Sequence, residues 1–149
     1  MLAYAPVSSV MSTHLITVNP EDNLLMVKEI FDNHSFHHIP VTRYKELLGI
    51  ISRSDFNHFY GGASSHSEDQ IVNELRLKRT HAADIMTTRI GKVDSEDRIN
   101  VALEIFCMNR FHALPVVDND ELVGILTPYD ILKALLDQKP IEPHLAYEQ

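Results

Sequence analysis

Leu24, Val27, Ile30 and Phe31 fall at helical spacing, and so do Ile99, Ala102, Ile105 and Phe106. Each set lays one apolar stripe along an amphipathic helix. The residues ahead of each stripe read as a helix start. Asn19 and Asp94 are the expected N-caps, and Pro20 suits the first helical position. Glu21-Asp22 and Glu96-Asp97 stand where the positive end of the helix dipole favours acids. Upstream of them, Leu15 to Val18 and Ile90 to Val93 are short β-prone stretches. Downstream, Ile39-Pro40-Val41 and Leu114-Pro115-Val116-Val117 read as strands. The proline places each at a strand start or a sheet edge, because it cannot donate to a ladder. Polar turns at Arg43 to Glu46 and at Asp118 to Glu121, the second a good hairpin, lead into Leu47-Leu48-Gly49-Ile50-Ile51 and Leu122-Val123-Gly124-Ile125-Leu126. Those strands end at Ser52 and Thr127, where helices running through Phe59 and Leu136 open. The predicted unit is β-α-β-β-α, an α/β arrangement.

The two series are one pattern repeated without a gap. Val10 to Phe59 recurs as Ile85 to Ala134, with Met11 matching Met86 and Asp55 matching Asp130 at the same spacing of 75 residues. Roughly a third of the aligned positions are identical. Two copies favour a closed, pseudo-two-fold pair over an open solenoid, which needs more repeats to bury its core. The expected boundaries are a first repeat at 6–60, a linker with a connecting helix at 61–80, a second repeat at 81–137 and a flexible tail at 138–149. Gly61 to Ser65 supplies the flexible part of the linker, and Ile71, Val72 and Leu75 mark its helix, running through Lys78.

Length and charge narrow the function. At 149 residues each half alone is marginal, so the halves are expected to share one hydrophobic core. A net charge of −8 argues against a nucleic-acid binder, which needs a basic face. It leaves room for a local positive pocket. The lone Cys107 cannot form an intrachain disulfide and is expected to be reduced, intracellular and buried. No apolar run has the length of a membrane span, and the first residues lack a signal-peptide pattern, so a soluble cytoplasmic protein is expected.

The residues Val10-Met11-Ser12-Thr13, Phe36-His37-His38-Ile39-Pro40-Val41 and Gly49-Ile50-Ile51-Ser52-Arg53-Ser54-Asp55 form one series of motifs. Ile85-Met86-Thr87-Thr88, Phe111-His112-Ala113-Leu114-Pro115-Val116-Val117-Asp118 and Gly124-Ile125-Leu126-Thr127-Pro128-Tyr129-Asp130 repeat it in the same order. Together they resemble the tandem cystathionine-β-synthase (CBS) domain pair, or Bateman module, over nearly the whole chain. The resemblance implies two pseudo-symmetric repeats packed as one module. In the family such modules usually regulate an attached enzyme, channel or transporter; here the module looks free-standing.

Ser52-x-x-Asp55 and Thr127-x-x-Asp130 have two readings. A hydroxyl and an acid three residues apart after a strand form a capping box. The same helix start can present backbone N–H groups to phosphate and a carboxylate to ribose hydroxyls. Similar pairs in nucleotide-binding members of the family bind ribose and phosphate. His37 and His112 stand at equivalent positions, where nucleotide-sensing members carry basic residues facing phosphates. Histidine ordinarily titrates near ~6.5, and a bound phosphate favours its charged form. Gly49 and Gly124 permit either a close backbone approach or a tight strand. By resemblance, each site takes in the start of the opposite repeat. One site joins Ile125, Thr127, Asp130 and His112 to Ser12, Ile16 and Phe36. The other joins Ile50, Ser52, Asp55 and His37 to Thr87, Gly91 and Phe111. Gly91 in place of Ile16 and Pro128 in place of Arg53 make the two sites unequal, with one of them open to being empty. Arg53 either adds charge near a phosphate or is an exposed helix residue.

A metal reading of His34, His37 and His38 would need a helix continuing through His38, which Pro40 opposes. No metal is required, and no Gly-rich phosphate loop, nucleophile elbow or other catalytic constellation is present, so the chain is not expected to be an enzyme. The expected function is a regulatory sensor for an adenosine-containing ligand. AMP, ADP or ATP is favoured, with S-adenosylmethionine, NAD or cyclic di-AMP as further candidates. Binding would alter a surface offered to an unknown regulated protein. A homodimer through Leu24, Val27, Phe31, Val101, Ile105 and Met108 is the family expectation. The alternative is a ligand-free dimeric interaction scaffold in which Ser52, Asp55, Thr127 and Asp130 are caps alone.

Overall fold

The computed structural model describes residues 1–61 and 67–138. In chain order they form α1 (Leu24–Asn33), β1 (His38–Arg43), β2 (Glu46–Ser52), α2 (Arg53–Tyr60), α3 (Ser67–Arg79), α4 (Ala82–Ile85), α5 (Ile99–Cys107), β3 (Leu114–Asp118), β4 (Glu121–Leu126) and α6 (Pro128–Leu136), with 3₁₀ turns at Leu2–Tyr4 and Val7–Ser9. Most of the expected linker Gly61-Gly62-Ala63-Ser64-Ser65 and nearly all of the expected tail lie outside the described residues.

The four strands make one antiparallel sheet in the order β1-β2-β4-β3. The two hairpins meet where Glu46 pairs with Glu121. Those residues are each other's equivalents in the repeat, so the pseudo-two-fold axis passes between them. Pro40 and Pro115 sit on the two outer strands, as a residue without an N–H must. The second hairpin turns through Asn119 and Asp120, both at positive φ. These residues suit a tight turn. Its partner forces Tyr44 and Lys45 into the same conformation, which their side chains do not favour.

Three local expectations are corrected. Leu15 to Val18 and Ile90 to Val93 are not strands beyond single bridges at Val18 and Val93. Val18 donates to Pro40 O and accepts from Thr42 N; Val93 does the same with Pro115 O and Val117 N. The next rung of a parallel ladder needs an N–H at the proline, which has none, so pairing stops there. Asn19 and Asp94 are not N-caps. The N–H of each is bonded to the acid three residues on, Asp22 or Asp97, in a turn that precedes the helix. α1 starts one turn later, capped by Asn23, whose side chain accepts from Met26 N at 3.0 Å. α5 has Arg98 at the cap position, without a side-chain bond. Cys107 is exposed, because it shares a helix face with the exposed Leu103 rather than with Ile99 and Ala102.

The halves do not share one core. Val18, Leu24, Val27, Phe31, Ile39, Val41, Ile51 and Phe56 form one buried cluster, completed by Leu77 and Ala82 from the segment leading into the second repeat. Val93, Ile99, Ala102, Leu114, Val116, Leu126 and Ile131 form the other, completed by Val7 from the chain start. Backbone bonds seal both exchanges: Leu24 N donates to Thr80 O, and Ile99 N to Ala5 O. The connecting helix α3 is therefore anchored through Leu77, while Ile71, Val72 and Leu75 stay exposed. Leu24, Val27 and Phe31 are fully occupied inside the first cluster and cannot face a partner subunit. Val101 and Met108 are exposed.

Candidate functional site

The exchange of leading segments carries residues of each repeat to the strand of the other. Ser12 and Ile125 bond N–H to carbonyl in both directions, at 2.9 and 3.0 Å, and Thr87 and Ile50 do likewise. Gly124 and Gly49 make this approach possible. A Cβ on Gly124 would come within 2.6 Å of Met11 Sδ, and one on Gly49 within 2.7 Å of Met86 Sδ. Of the two readings open from sequence, close backbone approach is the one realised.

Between the leading segment of the first repeat and the starts of α2 and α6 lies a cleft of about 1070 Å³. It gathers Ser12, Ile16, Phe36, His37, Ser52, Asp55, His112, Ile125, Thr127 and Asp130. Ile50, Thr87, Gly91 and Phe111 do not line it. On their side the Phe111 ring lies against Gly91, where a Cβ would meet its edge at 3.3 Å and Leu114 Cδ2 at 3.1 Å. The Phe111 ring thus lies against the position that a side chain at residue 91 would take, as that of Ile16 does in the other half. Sequence reasoning passed over His14 and Tyr129, which also line the cleft. His14 had a signal: its equivalent in the second repeat, Arg89, is also basic.

Both capping boxes form. Asp55 N donates to Ser52 Oγ at 2.9 Å and Ser52 N to Asp55 Oδ2 at 3.3 Å. Thr127 N donates to Asp130 Oδ2 at 2.8 Å, and Asp130 N to Thr127 Oγ1 at 3.4 Å. The second oxygen of Asp130 accepts from Ser12 Oγ at 3.2 Å, a bond that crosses between repeats. Thr87 Oγ1 reaches Asp55 Oδ2 at 3.4 Å in the other half. A ligand hydroxyl can replace either crossing bond without undoing the cap.

Arg53 has a role that neither sequence reading foresaw. Its Nη2 donates to the carbonyls of His34 and Phe36, both at 2.8 Å, its backbone N–H to His37 O at 2.7 Å, and its guanidinium lies 4.8 Å from the centre of the Phe31 ring. It staples the loop before β1 and so sets the position of His37. His34 is outside α1, which ends at Asn33, and its ring stacks on Phe36 at 5.0 Å. Burial holds His38 below its ordinary value, and His37 and His112 push in the same direction while Asp55 opposes them. His37 and His112 thus both act on His38 at the cleft wall.

The family model described as CBS domain matches the chain twice, at residues 7–62 and 82–137. Over 125 residues the chain is 31% identical to the uncharacterized protein MJ1225 of Methanocaldococcus jannaschii, covering 80% of this chain and 43% of that protein. The crystal structure of MJ1225 aligns with a TM-score of 0.75 and 25% identity over 89% of this chain and 48% of that one. The chain thus spans less than half of that relative's length. CBSX2 of Arabidopsis thaliana, in its crystal structure in complex with AMP, aligns with a TM-score of 0.72 and 25% identity, over 89% of this chain and 96% of that one.

Proposed function

The chain belongs to the CBS domain family, and on that premise we propose that it is a regulatory module binding an adenosine-containing ligand in the cleft on the Asp130 side. The observation that carries this reading is one juxtaposition. Ser12, Ile16 and Phe36 from the first repeat face Ile125, Thr127 and Asp130 from the second across open space. Ile16, Phe36 and Ile125 offer apolar surface for a base. The Asp130 carboxylate, held by its cap, offers an acceptor for ribose hydroxyls in exchange for Ser12 Oγ. His37 and His112 stand where phosphate would lie. CBSX2, solved with AMP, lends support to AMP, ADP or ATP as the ligand class. Ser52 and Asp55 line the same cleft as Thr127 and Asp130, which supports one site served from both walls.

Regulation follows from where the ligand would sit. Its contacts come from both repeats, so it favours the arrangement in which they are closest, by its difference in affinity for the two states. Self-association through the exposed Val101 and Met108, with the half-buried Ile105, would give that change a second subunit to act on. Each capping box is complete within the chain, with Ser52, Asp55, Thr127 and Asp130 all employed as caps, and this is what favours the second reading, a ligand-free scaffold.

Thermal unfolding with AMP, ADP, ATP, S-adenosylmethionine, NAD and cyclic di-AMP separates the two. A ligand at a hundredfold over its Kd stabilises by about 2.7 kcal/mol. In a chain of this size that raises Tm by roughly 5–10 °C. Asp130→Asn, which still accepts the capping N–H, is expected to abolish most of that rise while leaving the ligand-free Tm nearly unchanged. No rise with any of the six sinks the sensor reading and leaves the scaffold.

A further inference from the structure

The cleft is poor in the fixed positive charge that a phosphate needs. Its lining holds one guanidinium, Arg53, against two carboxylates, Asp55 and Asp130. Arg53 Nη2 is engaged by the carbonyls of His34 and Phe36 and its guanidinium lies on the Phe31 ring, which fixes its position without neutralising its charge. Each helix start leaves one N–H open to a ligand, that of Ser54 in α2 and that of Tyr129 in α6, a partial charge rather than a full one. At α2 the Arg53 and Asp55 N–H groups are bonded to His37 O and Ser52 Oγ. At α6 Pro128 has no N–H, and that of Asp130 is held by Thr127. The remaining ionisable side chains in the lining are His14, His37, His38, His112 and Tyr129. They come from separate segments: His14 from the leading segment, His37 and His38 from the entry to β1, His112 from the entry to β3, and Tyr129 from α6. With neutral imidazoles the lining is net negative, and each proton gained moves it towards the charge an anion requires.

We infer that this cleft binds the phosphate of its nucleotide together with protons taken up by the histidines, so that affinity for a phosphorylated ligand rises as the pH falls through the histidine range, while affinity for the nucleoside alone does not. Burial, and then the neighbouring His37 and His112, discourage the charged form of His38, and a phosphate placed among these side chains would oppose that effect. The inference rests on the nucleotide reading above and adds to it a second input: the same concentration of ligand fills more of the protein in acid than in alkali.

Calorimetry with AMP and with adenosine on the full chain, at pH 7.5 and 6.5 and in two buffers of different ionisation enthalpy, tests it. A phosphate monoester takes up its own second proton near ~6 and is partly protonated at pH 6.5, so the histidine variant described next is the control for that contribution. The expected result is an AMP Kd about three- to tenfold lower at pH 6.5, net proton uptake, and an adenosine Kd that moves by less than about twofold. His37→Gln with His112→Gln should flatten the AMP profile towards that of adenosine while adenosine still binds. Parallel pH profiles for AMP and adenosine, or AMP binding without proton uptake, overturn the inference and leave the nucleotide reading standing. Failure of both ligands to bind at either pH overturns the nucleotide reading, and the inference with it.

Discussion

His38 and Ala113 occupy equivalent positions in the two repeats, and the difference sets a pH dependence of the fold itself. The imidazole is half-buried at the cleft wall and held below its ordinary value, first by burial and then by His37 and His112. A histidine shifted this way takes up protons more readily when the chain unfolds. Its stabilising contribution is therefore complete above the ordinary value of 6.5 and is lost as the pH falls towards the folded value. Chemical denaturation at pH 7.5 and 5.5 should show the wild type losing stability across that interval and His38→Ala losing distinctly less; equal losses would remove His38 as the cause. Asp118 runs in parallel at a lower pH, held down by the hydroxyl and then the backbone N–H of Ser95. How far single residues were legible depended on the comparison of copies. His37 and His112 were visible because they match. Arg53 was not, because its bonds run to carbonyls that no residue type advertises.

At the level of elements, periodicity identified the helices and strands but not where they begin. The motif that seemed to start α1 and α5 closes a turn instead, since an acid three residues after a polar residue serves either structure. The lost strands have a plainer cause. A proline near the start of β1 and of β3 ends the parallel pairing at Val18 and Val93, and so leaves Leu15 and Ile16 to line the cleft instead of a ladder. The seating of the leading segments on the paired strands depends on glycine. Gly124→Ala would drive a methyl into Met11 Sδ and Ser12 O, and overpacking of this kind typically costs about 1–3 kcal/mol. We expect the urea midpoint to fall accordingly, and ligand affinity to fall with it, because Ser12 and Asp130 part when the segment shifts. A midpoint within error of wild type would mean that Met11 simply turns aside.

For the molecule as a whole, the repeat announced the pseudo-symmetric pair, but not that the halves complete each other by exchange. Leading segments are short and without periodicity, so their destination has no local signature. The clearest test is Val7→Ala. Val7 is fully buried in the cluster of the opposite repeat, and its truncation should cost about 2 kcal/mol despite its place near the chain start. Amide exchange should show β3, β4 and α6 opening more readily, with β1 and β2 little changed; uniform loss would mean that the two clusters unfold as one. Among the described residues no helix is long and apolar enough to cross a membrane.

The exchanged segments also bear on how such a chain can arise. A polypeptide with one repeat can finish its core only by passing its leading segment to a second copy and receiving one in return, so it is an obligate pair with two identical clefts. Any substitution that suits one cleft is then imposed on the other. Joining the copies end to end makes the exchange intramolecular, at a high effective concentration, and ends that constraint. Ile16 and Gly91 differ at equivalent positions, as do His38 and Ala113. Each half is then free to line its side of the cleft differently, a division of labour that two identical chains would not permit.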